Sequence, residues 1–178
     1  RRGPGQRERP PRVPGPAYMS DLPAPAVHGA DPAGYAKKHN PFVYYTRLTA
    51  HPAACRNVVG LGTLGSDERA GYLPRFAWIT PNLCHDMHDC SIATGDSWLS
   101  TFVPRITSSP AFTNSALFIT WDEGTTNGGG GGQVAPLVAS HLTGTGYRSS
   151  PPSHHCTPPR PVRDTCGRPS LHPDRRRR

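Results

Sequence analysis

The 178-residue sequence has no run of about 18 apolar residues and no apolar core of a signal peptide. These absences exclude a transmembrane segment, and no secretion signal is expected in this chain. There is no Gly-x-Ser-x-Gly motif, which argues against a serine hydrolase. The glycine run at 128–132 lacks the Lys-Ser/Thr ending of a phosphate-binding loop, so we expect it to be a flexible connection.

Acidic and aliphatic residues are scarce at both ends of the chain. Residues 1–16 and 149–178 together carry a net charge of +9 and 12 of the 22 prolines, whereas residues 17–148 carry a net charge of −1. The ends cannot bury enough apolar surface to offset the entropy of ordering, so we expect them to be disordered. The overall charge of +8 therefore indicates no specific nucleic-acid partner. Non-specific phosphate binding by the arginine-rich ends is the alternative.

The middle segment, 17–148, contains all three Trp and all five Phe and is long enough for a core. The apolar run at 76–79 predicts a buried strand, and the run at 116–121 predicts a second strand. Asn40 before Pro41 predicts a short helix through Leu48, and Asp96 is expected to cap a second helix that Pro104 kinks. Residues 60–75 are expected to be a surface connection. Strands that alternate with helices indicate an α/β fold.

Two polar segments follow the predicted strands. The loop at 81–95 contains two histidines and two aspartates within 85–89, and Asp122 and Glu123 follow the strand at 116–121. Ligands of open α/β sheets bind at the carboxyl ends of strands, so we expect both segments at one edge of the sheet. Imidazole and carboxylate groups together suit a divalent metal such as zinc or manganese. The same residues are also compatible with solvated turns, and the loop aspartates with partners for loop amides.

Four motifs occur in a fixed order: Tyr-Met-Ser-Asp-Leu-Pro at 18–23, Lys-Lys-His-Asn-Pro-Phe at 37–42, Asp-Met-His-Asp at 86–89 and Trp-Asp-Glu-Gly at 121–124. This set of motifs resembles the phosphoesterase family of the alkaline phosphatase-like superfamily. The family includes bacterial acid phosphatases, phosphatidylinositol phosphate phosphatases and phospholipases C. The resemblance covers the C-terminal half of the family domain. It implies a partial α/β/α sandwich over residues 17–148, followed by a degenerate tail at 149–178.

The resemblance also implies hydrolysis of a phosphate ester at a divalent metal centre. Asp122 and Glu123 are then the expected metal ligands. His88 is expected to bind the metal or the phosphoryl oxygens, with Asp89 beside it as a catalytic residue. His39 resembles a catalytic-pocket residue. Donors of this kind would stabilise the negative charge of the phosphoryl oxygens.

Two regions depart from the family pattern. The family's acidic-Asn metal motif and its hydroxyl nucleophile precede the Tyr-Met segment, where this chain has sixteen residues rich in Arg, Pro and Gly. We therefore expect a fragment that lacks the nucleophile half and is inactive by itself. His155 matches a family active-site histidine, but the prolines that follow it forbid the expected helix.

Within the family, the residues of the Lys-Lys-His-Asn-Pro-Phe and Asp-Met-His-Asp motifs resemble the acid phosphatase branch more closely, which favours a phosphomonoesterase. The expected substrate is a small molecule or a phospholipid head group. The alternatives are a phospholipase C-type phosphodiesterase and a non-catalytic remnant. The family implies a secreted or cell-envelope location. Cys84 and Cys90 are compatible with a disulfide, as expected for a secreted enzyme, or with metal binding. Cys55 is expected to be unpaired, because Ala26 stands where the family has its partner.

Overall fold

The computed structural model describes residues 15–23, 34–124, 131–142, 144–146 and 148. The described helices and strands belong to a compact unit spanning Arg1–Thr143, and a second unit spans Gly144–Arg178. Disorder was predicted for 1–16 and 149–178, of which only 15 and 16 are described residues. Most of the glycine run and His155 also lie outside the described residues. No described helix is long or apolar enough to span a membrane.

A three-stranded parallel sheet forms the centre of the larger unit. Strand β1 (Ala17–Met19) lies between β2 (Val58–Gly60) and β3 (Trp78–Thr80), with Tyr18 opposite Val59 and Ile79. All three residues of β1 are buried. A central parallel strand is covered on both faces, so its sequence is continuously apolar and does not alternate with polar residues.

The two faces of β1 pack against different parts of the chain. Tyr18 joins one apolar cluster with Leu64, Phe102 and residues near them, while Ala17 and Met19 join a second cluster with Tyr35 and Val58. Successive side chains of a strand point to opposite faces, so β1 supplies both clusters at once. The layered arrangement confirms the predicted α/β class. The finer assignment to an alkaline phosphatase-like sandwich stays a prediction.

Helices connect the strands. In the part of the chain that the structure describes, four are α-helical: α1 (Thr46–Thr49), α2 (Pro52–Cys55), α3 (Gly62–Arg69) and α4 (Ile92–Thr107). Three are 3₁₀ helices: Lys37–His39, Pro41–Tyr44 and Pro110–Phe112. Asn40 caps the second of these as predicted, because its side chain accepts a hydrogen bond from the amide of Phe42.

Two helix predictions were wrong. Helix α4 begins at Ile92, and its cap is Ser91, whose hydroxyl accepts from the amide of Thr94; Asp96 is an exposed residue inside the helix. Residues 60–75 are not merely a surface connection, because they contain α3. That helix has one buried apolar residue, Leu64, so its sequence has almost no amphipathic pattern to detect.

The predicted strand near 116 is present as β4 (Ala116–Ile119), which pairs antiparallel with β5 (Leu137–Ser140). Within the described ranges, β4 and β3 belong to different sheets. The expectation that the segments after these two strands share one sheet edge is therefore wrong for this part of the chain.

Candidate functional site

The loop after β3 is held in shape by its first polar residue. The side-chain oxygen of Asn82 accepts hydrogen bonds from the amides of Cys84 and His85, at 3.2 and 2.8 Å. The side-chain nitrogen of Asn82 donates to Asp21 at 2.7 Å. Because Asp21 follows β1, this contact joins the loop to the central strand.

A disulfide between Cys84 and Cys90 closes the same loop. The predicted disulfide is confirmed, and the alternative of metal binding by these two cysteines is wrong. The amide of Asp89 donates to the carbonyl of Leu83 at 2.8 Å, next to the bridge. Cys84 and Cys90 are bonded to each other, so neither bridges Cys55, and the thiol of Cys55 donates to the carbonyl of Leu48 at 3.2 Å.

Two of the predicted site residues, His39 and His88, meet although 49 positions separate them. His39 ends the first 3₁₀ helix, and His88 lies in the disulfide-closed loop. Their ring centroids are 5.7 Å apart, in an edge-on arrangement. The tertiary structure thus brings together the Lys-His-Asn-Pro and Asp-Met-His-Asp motifs.

Each of these rings is held by a carboxylate through the same nitrogen. Nδ1 of His39 lies 3.0 Å from Oδ2 of Asp86, and Nδ1 of His88 lies 2.7 Å from Oδ1 of Asp89. A carboxylate that holds Nδ1 fixes the orientation of the ring and leaves Nε2 for another partner. We call these four residues the histidine–aspartate cluster.

Lys38 contacts the second ring nitrogen of His88, Nε2. Its Nζ lies 3.2 Å from Nε2 of His88. A lysine ammonium only donates, so Nε2 of His88 accepts, and its Nδ1 carries the hydrogen that is donated to Asp89. Lys38, His88 and Asp89 thus form a short chain of polar groups at the surface.

The cluster is anchored on one side and open on the other. The side chains of His39 and Asp86 are 22% and 17% exposed, whereas those of His88 and Asp89 are 50% and 57% exposed. A ligand from solvent can therefore reach His88 and Lys38 without movement of the fold. The inner pair provides the rigid side of the site.

The sequence did not single out Lys38 as a site residue, and it left Asp86 open between a carboxylate of a metal site and a partner of loop amides. Asp86 does accept from the amide of His88, at 2.8 Å, but it also holds His39. Both missed residues adjoin predicted ones within the same motifs, which is the signal that was available. Their contacts cross 47 or 50 positions, so neither pairing is visible in the sequence.

His85 belongs to the same loop but serves packing. Its ring stacks on that of Trp98 with centroids 5.4 Å apart, and Trp98 stacks in turn on Phe102 at 4.3 Å. Nδ1 of His85 is buried and has no hydrogen-bond partner among the described residues. This ring therefore fixes the loop to α4.

Asp122 and Glu123, the other predicted metal ligands, are exposed residues after β4. In the described ranges no ion pair or hydrogen bond links their side chains to His88, and no group of three or more His, Cys, Asp or Glu residues is arranged to hold a metal ion. The residues that the structure describes do not by themselves fit a metal centre. We therefore derive no chemical step through a metal.

Comparison with known proteins agrees with the motifs. The sequence model of the Phosphoesterase family matches residues 17–163. The chain is 30% identical over 138 residues to a phosphate-repressible acid phosphatase of Penicillium chrysogenum, an alignment that covers 72% of this chain and 34% of that protein. It is 31% identical over 106 residues to a phosphatidylinositol-3-phosphatase of Mycobacterium tuberculosis, covering 60% and 34%.

A third relative, an acid phosphatase of Aspergillus fumigatus, is 30% identical over 114 residues, covering 60% of this chain and 26% of that protein. The chain thus spans between a quarter and about a third of the length of these relatives. No solved structure matches it. Because the family match includes both histidine-bearing motifs and most of the chain, the protein belongs to the Phosphoesterase family.

Proposed function

We propose that residues 17–148 supply the phosphate-binding side of a phosphate-ester hydrolase site, in a phosphomonoesterase of the acid phosphatase kind. The observation that carries this proposal is the 3.2 Å contact between Lys38 and His88 beside His39. Three nitrogen-bearing side chains converge there at an open surface. A phosphoryl group would replace the contact between Lys38 and His88 by accepting hydrogen bonds from the ammonium of Lys38 and from Nε2 of a protonated His88 ring.

The chemistry of these groups suits a phosphoryl anion. An ammonium and a protonated imidazole both form charge-assisted hydrogen bonds with phosphoryl oxygens, and these bonds are stronger than those between neutral groups. Donors already held in place stabilise charge that develops during phosphoryl transfer without a cost of reorganisation. The carboxylates of Asp86 and Asp89 hold the rings and so supply this order.

The names of the relatives favour a monoester as substrate. Two of them are called acid phosphatases and one a phosphatidylinositol-3-phosphatase, so a small phosphate monoester and a phosphorylated lipid head group both fit the proposal. The disulfide supports a secreted or cell-envelope location, since such bonds persist in oxidising compartments. A divalent metal ion held by Asp122, Glu123 and His88 stays a prediction from the resemblance.

Binding of inorganic phosphate to the full chain, measured by isothermal titration calorimetry, tests the proposal directly. We expect His88→Ala to weaken the affinity at least about tenfold, the effect of losing one charge-assisted hydrogen bond. His51→Ala, at another exposed histidine, is the matched control and should bind as the wild type does. Equal affinity of wild type and His88→Ala would refute the proposed site.

Hydrolysis needs a separate experiment, because the resemblance places the nucleophile in the part of the family domain that precedes Tyr18. Residues 17–148 would be fused behind the corresponding upstream part of the Penicillium enzyme. We expect this fusion to cleave p-nitrophenyl phosphate faster than bis(p-nitrophenyl) phosphate, and His88→Ala to lower that rate. Preference for the diester would favour a phospholipase C-type activity instead, and inertness with every divalent ion would contradict the proposal.

A further inference from the structure

Asp86 makes two contacts that join separate parts of the site. Its Oδ2 lies 3.0 Å from Nδ1 of His39, and its Oδ1 accepts from the backbone amide of His88 at 2.8 Å. Its own amide donates to the carbonyl of Asn82 at 2.9 Å, within the loop that the disulfide closes. One carboxylate therefore connects the 3₁₀ helix that carries His39 with the segment that carries His88.

The two aspartates of the cluster differ in their surroundings. Asp89 holds the ring of its own neighbour in sequence, and its side chain is 57% exposed. The side chain of Asp86 is 17% exposed and holds a ring 47 positions away. A hydrogen bond with less water around it is stronger, so Asp86 constrains its histidine more firmly than Asp89 does.

We propose that Asp86 is a positioning residue that sets the tautomer and orientation of His39. The carboxylate accepts the hydrogen on Nδ1, so a neutral His39 presents an unprotonated Nε2 to the site. This inference rests on the proposed function for its role in phosphate binding, but the tautomer itself follows from the geometry alone. The second contact of Asp86, with the amide of His88, sets the separation between the two rings.

The substitution Asp86→Asn separates positioning from simple packing, because it keeps the shape of the side chain. The amide of His88 requires an acceptor, so the side-chain oxygen of the new asparagine faces it and the NH₂ group faces His39. That NH₂ group donates to Nδ1 of His39, which moves the hydrogen to Nε2. Replacement of a carboxylate by an amide beside a histidine is known to impose the wrong tautomer in this way.

Long-range ¹H–¹⁵N NMR of the full chain at pH 8, where free histidine is neutral, reports the tautomer. The His39 signals are assigned by their loss in His39→Gln. We expect Nδ1–H in the wild type and Nε2–H in Asp86→Asn, with the backbone amides of 82–90 otherwise in place. Asp96→Asn, at an exposed aspartate of α4, is the matched control and should keep the wild-type tautomer.

Phosphate titration of the same three proteins at pH 5.5, where free histidine is largely protonated, completes the test. A protonated His39 donates to phosphate through Nε2 while the carboxylate of Asp86 accepts the hydrogen on its Nδ1, and the NH₂ group of an asparagine cannot accept that hydrogen. We expect at least about tenfold weaker binding in Asp86→Asn and wild-type affinity in Asp96→Asn. An Nε2–H tautomer in the wild type, or the same tautomer in wild type and Asp86→Asn, would overturn the positioning role whatever the affinities are. If the tautomer changes as expected while the wild type binds no phosphate, positioning is upheld and the proposed function fails.

Discussion

Tyr18 shows how a single buried side chain ties stability to pH. It is fully buried in the middle strand of the parallel sheet, and its hydroxyl donates to Oδ2 of Asp67 at 2.6 Å. Burial raises the pKa of Tyr18 far above its ordinary value, and the hydrogen bond to Asp67 raises the pKa further. The folded protein therefore holds the phenolic proton more tightly than the unfolded chain does.

This difference predicts loss of stability at high pH. The contribution of Tyr18 is complete below the ordinary tyrosine pKa of about 10 and is lost as the pH rises above it, because only the unfolded chain then releases the proton. We expect the free energy of unfolding to fall by up to about 1.4 kcal/mol per pH unit from this group. The measurement is urea unfolding at pH 8, 10 and 11.

Tyr18→Phe should lower the stability at pH 8, since Asp67 loses its donor, and should reduce the decline above pH 10. Tyr45→Phe, at an exposed tyrosine, is the control and should keep the wild-type decline. Equal slopes for wild type and Tyr18→Phe would contradict this account.

At the scale of elements, the site depends on how the histidine-bearing loop packs on helix α4. Gly95 is buried at this contact, and a Cβ there would lie 2.4 Å from Cγ of Met87 and 2.9 Å from the carbonyl oxygen of His85. Met87 has a positive φ of 73°, which side chains rarely adopt. The loop backbone thus approaches the helix where only glycine leaves room.

We expect Gly95→Ala to destabilise the protein by about 1 kcal/mol or more, although alanine is the better helix former. Gly65→Ala in α3 is the matched control: its Cβ would meet only the guanidinium of Arg69, at an ordinary 3.5 Å. That variant should gain about 0.5–1 kcal/mol from helix propensity. Thermal unfolding of both variants checks the contrast, and a stabilising Gly95→Ala would show that the loop is not packed as described.

The disulfide is the second constraint on this loop. Bridging residues six positions apart is expected to contribute about 2 kcal/mol by restricting the unfolded chain. The double substitution Cys84→Ser and Cys90→Ser should lower the unfolding free energy by that amount and weaken phosphate binding, because His88 and Asp89 lie inside the closed loop. Cys55→Ser, outside the loop, is the control and should leave phosphate affinity unchanged. If the double variant bound phosphate as tightly as the wild type, the hydrogen bonds of Asn82 and Asp86 would suffice to hold the loop.

At the scale of the whole molecule, charge is divided between the ends and the centre. The ends carry +9 and the centre −1, so we expect the arginines to bind polyanions without sequence specificity and independently of the residues of the histidine–aspartate cluster. We expect weak binding to duplex DNA, equal for two unrelated sequences of one length and steeply reduced between 50 and 200 mM salt. Fluorescence anisotropy measures this, and a clear preference for one sequence would contradict it.

Much of the fold and part of the candidate site could be predicted from the sequence. The Asn40–Pro41 start of a helix and the strand at β4 have local signals, namely a capping side chain and a continuous apolar run. Strands β1 and β2 were not predicted, since a run of three residues is too short to distinguish a buried strand from a loop by its pattern. Helix α4 was placed too late because its cap, Ser91, lies five residues before Asp96 and seven before Trp98, where the apolar pattern of one helical face begins.

The sequence by itself determined the family, because motifs are local, and it predicts His39, His88 and Asp89 as site residues from their neighbours along the chain. Only the tertiary structure decided how they combine. The pairing of His39 with Asp86 and of His88 with Lys38 depends on β1 and β3 lying side by side, which places the segments that follow them in contact. Such contacts form between residues far apart in the chain, and their geometry is set by strand register and core packing, neither of which is encoded in the spacing of any one motif.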